Sequence, residues 1–267
     1  MARKLRKLTK AVDSVPYWYH SIDLGDGIVT DGARSADDLA ATWDALDLPD
    51  LRARSVIDVG AWDGYFSFRA EDAGASRVVA LDHYAWSLDL ARKLDYDEQC
   101  RRDGVTPVQY HTHPGIWRPD DLPGKAGFDT AHRARESGVE SVVGDFMRMD
   151  LERLGTFDVV LLLGVLDRMR HPVLALERLA RLARDLLVVE TEAVAVPGFE
   201  HHGFAEFMES DELDGDPTTW WVPNRHAAMA LCRTAGFSQV EAAADPAQRP
   251  TRGDALHRYR LVVKASK

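Results

Sequence analysis

Asp58, Gly60, Gly64 and Asp82 are the residues of this chain whose types and spacing most plainly suit chemistry. The first three lie in Ser55-Val-Ile-Asp-Val-Gly-Ala-Trp-Asp-Gly-Tyr-Phe-Ser-Phe68, an apolar run that passes through a glycine turn into a helical pattern. Asp82 closes the next apolar run, Val78-Val-Ala-Leu-Asp82, 18 residues after Gly64. Open α/β sheets bind nucleotide-like ligands at such strand ends. A dinucleotide would need G-x-G-x-x-G, so that the backbone can approach its pyrophosphate. Trp62 and Tyr65 stand where the second and third glycines belong, and Asp58 would repel a phosphate. The turn is built for something else.

A ligand with a cationic amino-acid end and an adenosine, such as S-adenosylmethionine, suits the same residues. Asp58 can serve its ammonium group, the glycines admit the backbone, and Asp82 can accept hydrogen bonds from both ribose hydroxyls. Farther on, Gly144-Asp145-Phe146 ends another apolar run. Asp145 there can accept from the adenine amino group while Phe146 borders the ring. Single loop acids more often cap helices or solvate turns. Their order at successive strand ends is what points to a ligand.

The elements that must position these residues are legible as an alternating α/β pattern. Strands are expected at Ser55–Val59, Val78–Leu81, Ser141–Val143, Phe157–Leu163, Leu186–Glu190 and Arg258–Val263. Helices are expected at Tyr65–Ala73, at Pro172–Ala183 with proline in its first turn, and at Asn224–Ala235, which Gly236 stops. Residues 1–50, 88–140 and 193–223 read as irregular excursions, the kind of segment that forms lids or substrate loops. In 267 residues, 33 Lys plus Arg against 43 Asp plus Glu give a net charge of −10, which disfavours a polyanionic partner. The basic run Arg3, Lys4, Arg6, Lys7, Lys10 reads as a solvated, frayed terminus. The row Arg178, Arg181, Arg184 reads as a solvated helix face. Cys100 and Cys232 fit neither a metal nor a disulfide framework. With no apolar run long enough to span a bilayer and no signal-peptide core, the chain reads as cytoplasmic, without a membrane partner.

These motifs resemble the class I S-adenosylmethionine-dependent methyltransferases, and more closely the family that contains the bacterial tRNA wobble-uridine carboxymethyltransferase. The resemblance rests on the glycine turn, Lys125-Ala-Gly-Phe128, Phe157-Asp-Val-Val-Leu-Leu-Leu-Gly-Val-Leu166 and His171-Pro172. It continues through Val189-Glu-Thr-Glu192, Trp220-Trp221-Val-Pro-Asn224 and Ala235-Gly-Phe237. It implies an α/β, Rossmann-like fold: a seven-stranded, mostly parallel sheet with an antiparallel last strand, helices on both faces, and lid insertions. The implied organisation is an N-terminal extension over 1–50 and a methyltransferase domain over 51–267, with insertions at 88–140 and 193–223. S-adenosyl-L-methionine is the implied cofactor and S-adenosyl-L-homocysteine its product. The donor-binding set is then Asp58, Gly60, Ala61, Trp62, Gly64, Asp82, His83, Asp145, Phe146 and Gly164.

Relatives commonly read Gly-Val-Leu-Tyr-His after the fourth strand, and in the carboxymethyltransferase that tyrosine helps hold the extra carboxylate of carboxy-S-adenosylmethionine. Here the stretch is Gly164-Val-Leu-Asp167-Arg168, and Asp167 would repel a carboxylate. The ordinary methyl donor is the expectation. Methyl transfer from a sulfonium needs alignment, desolvation and, for a hydroxyl or amine acceptor, a base. Asp167, Glu192 and His113 are the candidates for that base, with Asp167 equally readable as a surface acid paired to Arg168. His111 and His113 lack a third metal ligand nearby, and Asp211–Asp216 reads as a solvated acidic loop. The expected function is methyl transfer to an unidentified acceptor, a small molecule before a tRNA. The alternatives are tRNA wobble-uridine (carboxy)methyl transfer and a non-catalytic cofactor-binding module.

Overall fold

The computed structural model describes residues 2–196, 198–242 and 257–267. The central sheet joins β1 (Ser55–Val59), β2 (Arg77–Asp82), β3 (Glu140–Val143), β4 (Phe157–Leu163), β5 (Ala183–Ala195), β8 (Gln239–Ala242) and β9 (His257–Ser266). Their order across the sheet is β3-β2-β1-β4-β5-β9-β8. β1 to β5 run parallel, and β9 is antiparallel to both β5 and β8. A two-stranded ribbon, β6 (Ala205–Phe207) with β7 (Trp221–Pro223), lies in the late insertion.

Alternation along the strands sorts the core into two layers. Ile57, Val59, Val79, Leu81, Val160 and Leu162 pack against α6 (Pro172–Leu182) and α7 (Arg225–Thr234). Val56, Val78, Ala80, Val159 and Leu161 pack on the other side with α3 (Tyr65–Asp72) and α5 (Ala126–Arg135). By the same parity Asp58 and Asp82 belong to the α3 face. That parity aims two carboxylates at one turn.

Residues 1–50 are fastened to that second layer. Helices α1 (Ala2–Asp13) and α2 (Ala36–Ala45) lie there, and Val15, Trp18, Ile22, Leu24, Leu39 and Leu46 are buried among its apolar side chains. The basic terminus is therefore helical rather than frayed. The segment 88–140 is likewise more regular than its prolines suggest. It carries α4 (Leu90–Asp103), capped by Asp89 and ended by Gly104, and then α5, the two helices of the crossover from β2 to β3. The arginine row is not one solvated face either. Arg178 donates from Nε to the carbonyl of Phe146 at 2.7 Å, and Arg184 lies in β5, paired with Asp158.

Candidate active site

The turn after β1 is a dense hydrogen-bonded knot. Gly60 has φ +87°, and a Cβ there would lie 2.4 Å from Cγ2 of Val165, which arrives from the end of β4. The amides of Gly60 and Ala61 both donate to the carbonyl of Leu81, at 2.8 and 3.3 Å. Trp62, a bulky residue at φ +46°, donates its amide to Asp82 Oδ2 at 2.9 Å, while its carbonyl accepts from Trp86 Nε1 at 2.7 Å. Asp82 Oδ1 accepts the Ala85 amide at 3.0 Å, so its two oxygens are aimed by main chain on either side. Burial raises the pKa of Asp82, against the pull of those amides. Gly64 caps α3 in the left-handed conformation, packed on Phe128 and Phe68.

Asp58 is fully buried. Oδ2 accepts from Ser67 Oγ at 2.7 Å, and the Ser67 amide also donates to the carboxylate. Burial pushes its pKa up to about 6, Ser67 resists, and the neighbouring charge of Asp82 adds to the rise. At the end of β3 the Gly144 amide donates to the carbonyl of Asp82 at 3.1 Å, joining the next loop to the same rim. Asp145 accepts the Met147 amide at 2.9 Å and faces Arg148 at 3.4 Å; Phe146 is buried against the α6 layer. His83 packs edge-on against Trp117 at 5.3 Å. Asp58, Gly60, Ala61, Trp62, Asp82 and Asp145 thus share the ends of the adjacent strands β1, β2 and β3.

A second cluster occupies the ends of β4, β5 and β9. Asp167 is only 3% exposed, which overturns the surface-acid expectation. Its Oδ1 lies 3.3 Å from the hydroxyl of Thr191, and its carbonyl accepts the Trp220 amide at 2.8 Å. Arg168 is paired elsewhere, with Asp216 at 2.6 Å and with the Thr218 hydroxyl. Asp216 is consequently part of the site wall and not of a solvated loop. Burial alone would raise its pKa, but Arg168 and Thr218 together bring it below the ordinary carboxylate range. Glu190, which is buried, and Glu192 both hold Arg260 of β9, the latter at 3.4 Å. Burial raises Glu192, Arg260 opposes the rise, and Asp167 supports it. Gly164 leads into this cluster at φ +68°, and a Cβ there would lie 3.3 Å from the Arg260 guanidinium. Glu190 and Arg260 are the members that sequence reasoning passed over. A charged residue in the middle of an otherwise buried strand, as in Tyr259-Arg260-Leu261, is the signal that points to them.

His113 stands apart. Nδ1 accepts the Gly115 amide at 3.1 Å and its ring lies 4.7 Å from that of Tyr96, so it braces its own loop. No hydrogen bond or ion pair joins it to Asp167 or Glu192. Beside the second cluster, Arg170 lies over Trp220 at 4.2 Å, and Trp221 pairs within the ribbon and packs on Phe207.

Three excursions meet above these strand ends. Gln109 Nε2 donates to the carbonyl of Pro217, and Thr106 faces Asp211 at 3.3 Å. From the N-terminal segment, Tyr19 stacks on Trp62 with ring centres 4.2 Å apart and planes 8° apart.

No family model matches the chain. It is 25% identical over 203 residues to the tRNA U34 carboxymethyltransferase of Shewanella sp. (strain ANA-3), covering 74% of this chain and 48% of that protein. The corresponding protein of Shewanella frigidimarina is 24% identical over 242 residues, covering 89% of this chain and 59% of its own length. The chain thus spans about half the length of the curated relatives it matches. Among solved structures, the N-terminal domain of EvdMO1, crystallised in the presence of SAH and D-fucose, aligns over 100% of this chain and 98% of its own, with a TM-score of 0.59 and 18% identity. An S-adenosylmethionine-dependent methyltransferase from Mesorhizobium loti aligns over 86% of this chain and all of its own, with a TM-score of 0.50 and 15% identity. With this strand order and a glycine turn after β1, the chain has the fold of the class I S-adenosylmethionine-dependent methyltransferases.

Proposed function

We propose that the chain is an S-adenosylmethionine-dependent methyltransferase acting on a small-molecule acceptor. The convergence of Asp58, Gly60, Asp82 and Asp145 on one rim carries this reading. The donor set suits the ligand: a buried carboxylate on Asp58 for the ammonium group, and two aimed oxygens on Asp82 for the ribose. Asp145 is left to the adenine amino group, with no phosphate-binding loop anywhere in the turn. S-adenosylmethionine supplies an electrophilic methyl on sulfur, and the leaving group is neutral. The chain contributes position, dryness and proton removal. The glycine turn orients the donor, and the three covering segments exclude water. Asp167 or Glu192 accepts the acceptor's proton; burial and mutual repulsion make Glu192 more basic than an ordinary carboxylate. His113 leaves the list of candidate bases, since it is committed to Gly115.

Calorimetric titration with S-adenosylhomocysteine tests the donor half. Absence of heat at saturating ligand would discard it. An inventory of extract compounds that gain one methyl mass with enzyme and donor tests the acceptor half. Turnover with no compound would leave only the non-catalytic binding module.

The tRNA reading is favoured by the names of the curated relatives and opposed by the net charge of −10. The choice of donor separates the two. Three arginines beside the acceptor-side cluster are already paired: Arg168 with Asp216, Arg258 with Glu206, and Arg260 with Glu190 and Glu192. A second carboxylate near the sulfonium would meet the buried Asp167, with those three cations already committed to acids. Carboxy-S-adenosylmethionine is therefore expected to bind at least about tenfold more weakly than the plain donor. Direct competition between the two donors checks this, and Asp167→Tyr should narrow the gap. Tighter binding of the carboxylated donor would restore carboxymethyl transfer.

A further inference from the structure

Asp63, inside the glycine turn, is 0% exposed. Its Oδ2 accepts two main-chain amides of the N-terminal segment, Tyr19 at 2.7 Å and His20 at 3.0 Å. Its Oδ1 is buried without a hydrogen-bond partner and faces the start of α5, where a Cβ on Gly127 would lie 2.4 Å away. Burying a carboxylate with one bare oxygen is costly, and α5 offsets only part of the cost through its positive end. The next residue back is also strained. Trp62 holds φ +46°, a region that bulky side chains avoid, and its Nε1 is buried without an acceptor. Two adjacent uncompensated residues at a ligand turn indicate that the surroundings over-determine this geometry for a purpose.

The contacts form one chain of cause. Asp63 fixes the main chain of Tyr19; the Tyr19 ring lies flat on Trp62; and the Trp62 amide holds Asp82 Oδ2. We propose that Asp63 is a positioning residue for the donor, setting the carboxylate of Asp82 through the Tyr19–Trp62 stack. The N-terminal segment is then a working part of the donor site and not an appendage beside it. This rests on reading the turn as the donor site.

The test is the affinity for S-adenosylhomocysteine of Asp63→Ala, Tyr19→Ala and Tyr19→Phe, each made alone and in an Asp82→Ala background. Ligand-observed NMR reads the weakest of them. Asp63→Ala and Tyr19→Ala should each bind about tenfold more weakly, the worth of one aromatic stack. Tyr19→Phe keeps the stack and should bind like the parent. In the Asp82→Ala background neither alanine should cost more, because the group they position is gone. A merely structural role would give penalties that add. Parental affinity in Tyr19→Ala, or additive penalties with Asp82→Ala, overturns the proposal. If Asp63→Ala does not fold, Tyr19→Ala carries the same test, since it removes a ring and leaves the amide bonded to Asp63. No binding by the parent protein would instead overturn the donor reading itself.

Discussion

Asp82→Ala should lower the affinity for S-adenosylhomocysteine by at least about a hundredfold, because two hydrogen bonds to a charged acceptor, each worth about 1.5–3 kcal/mol, disappear together. The geometry gives the residue no substitute. Asp82 ends β2 on the α3 face, its oxygens already trained by the Trp62 and Ala85 amides. Asp145 sits on the next loop, engaged with the Met147 amide. The same substitution strands two main-chain donors in a buried turn, so the free protein should also lose stability by about 1–3 kcal/mol per donor. Calorimetry with the variant checks the first effect, and urea denaturation checks the second. Unchanged affinity would remove Asp82 from the site.

Mild acidification should stabilise the protein, contrary to the usual behaviour of carboxylates. Burial lifts Asp63 to about 7 and Asp58 to about 6, in both cases with Asp82 adding to the rise. A carboxyl whose folded value lies above its unfolded one contributes fully at low pH, and that contribution vanishes as pH climbs through the folded value. Both contributions are thus absent at pH 8 and gained toward pH 5. His20 works in the other direction: burial, with Arg34 nearby, lowers it to about 3, so its contribution is present above its ordinary value and erodes on acidification. Summing the three gives a net gain of about 2 kcal/mol between pH 8 and pH 5. Below that window, ion-paired acids with lowered values, such as Asp216 and Glu140, begin to lose their contributions. Urea denaturation at the two pH values measures the slope. Asp63→Asn removes the largest favourable contribution and should flatten or reverse it; an unchanged slope would mean that Asp63 is ionised in the folded protein.

The parts of the fold legible in the sequence were those where one physical signal dominated. β1 and β4 are found at their observed bounds, because a continuous apolar run between a turn and a glycine admits little else. β5 runs farther than Leu186–Glu190, since Thr191 and Glu192 interrupt the apolar run while the ladder to β9 continues through Ala195. β8 is a four-residue edge strand of alternating polarity, too short to stand out. Helix α4 is polar nearly all round and buries only Leu90 and Cys100, so no apolar stripe announces it; its caps, Asp89 and Gly104, were the readable sign. At the candidate site, the grouping of Asp58, Asp82 and Asp145 was legible because they sit one per strand end. The burial of Asp167 was not legible, because it is imposed from far along the chain, by Thr191 and the Trp220 amide. Asp63 was invisible for the same reason: its partners lie more than 40 residues upstream.

β5 has one more consequence. Its last residues, paired with β9 through Ala195↔His257, run on past the residues that touch Asp167 and Arg260. There Val194 packs with Met208 and Val222, beneath the β6–β7 ribbon. The ribbon proposed to cover the acceptor side therefore rests, through apolar packing, on a strand end that is itself hydrogen-bonded to β9. On the proposed function, the ribbon and its loops could be exchanged, and the shape of the acceptor side with them, without retuning the ends of β1 to β3.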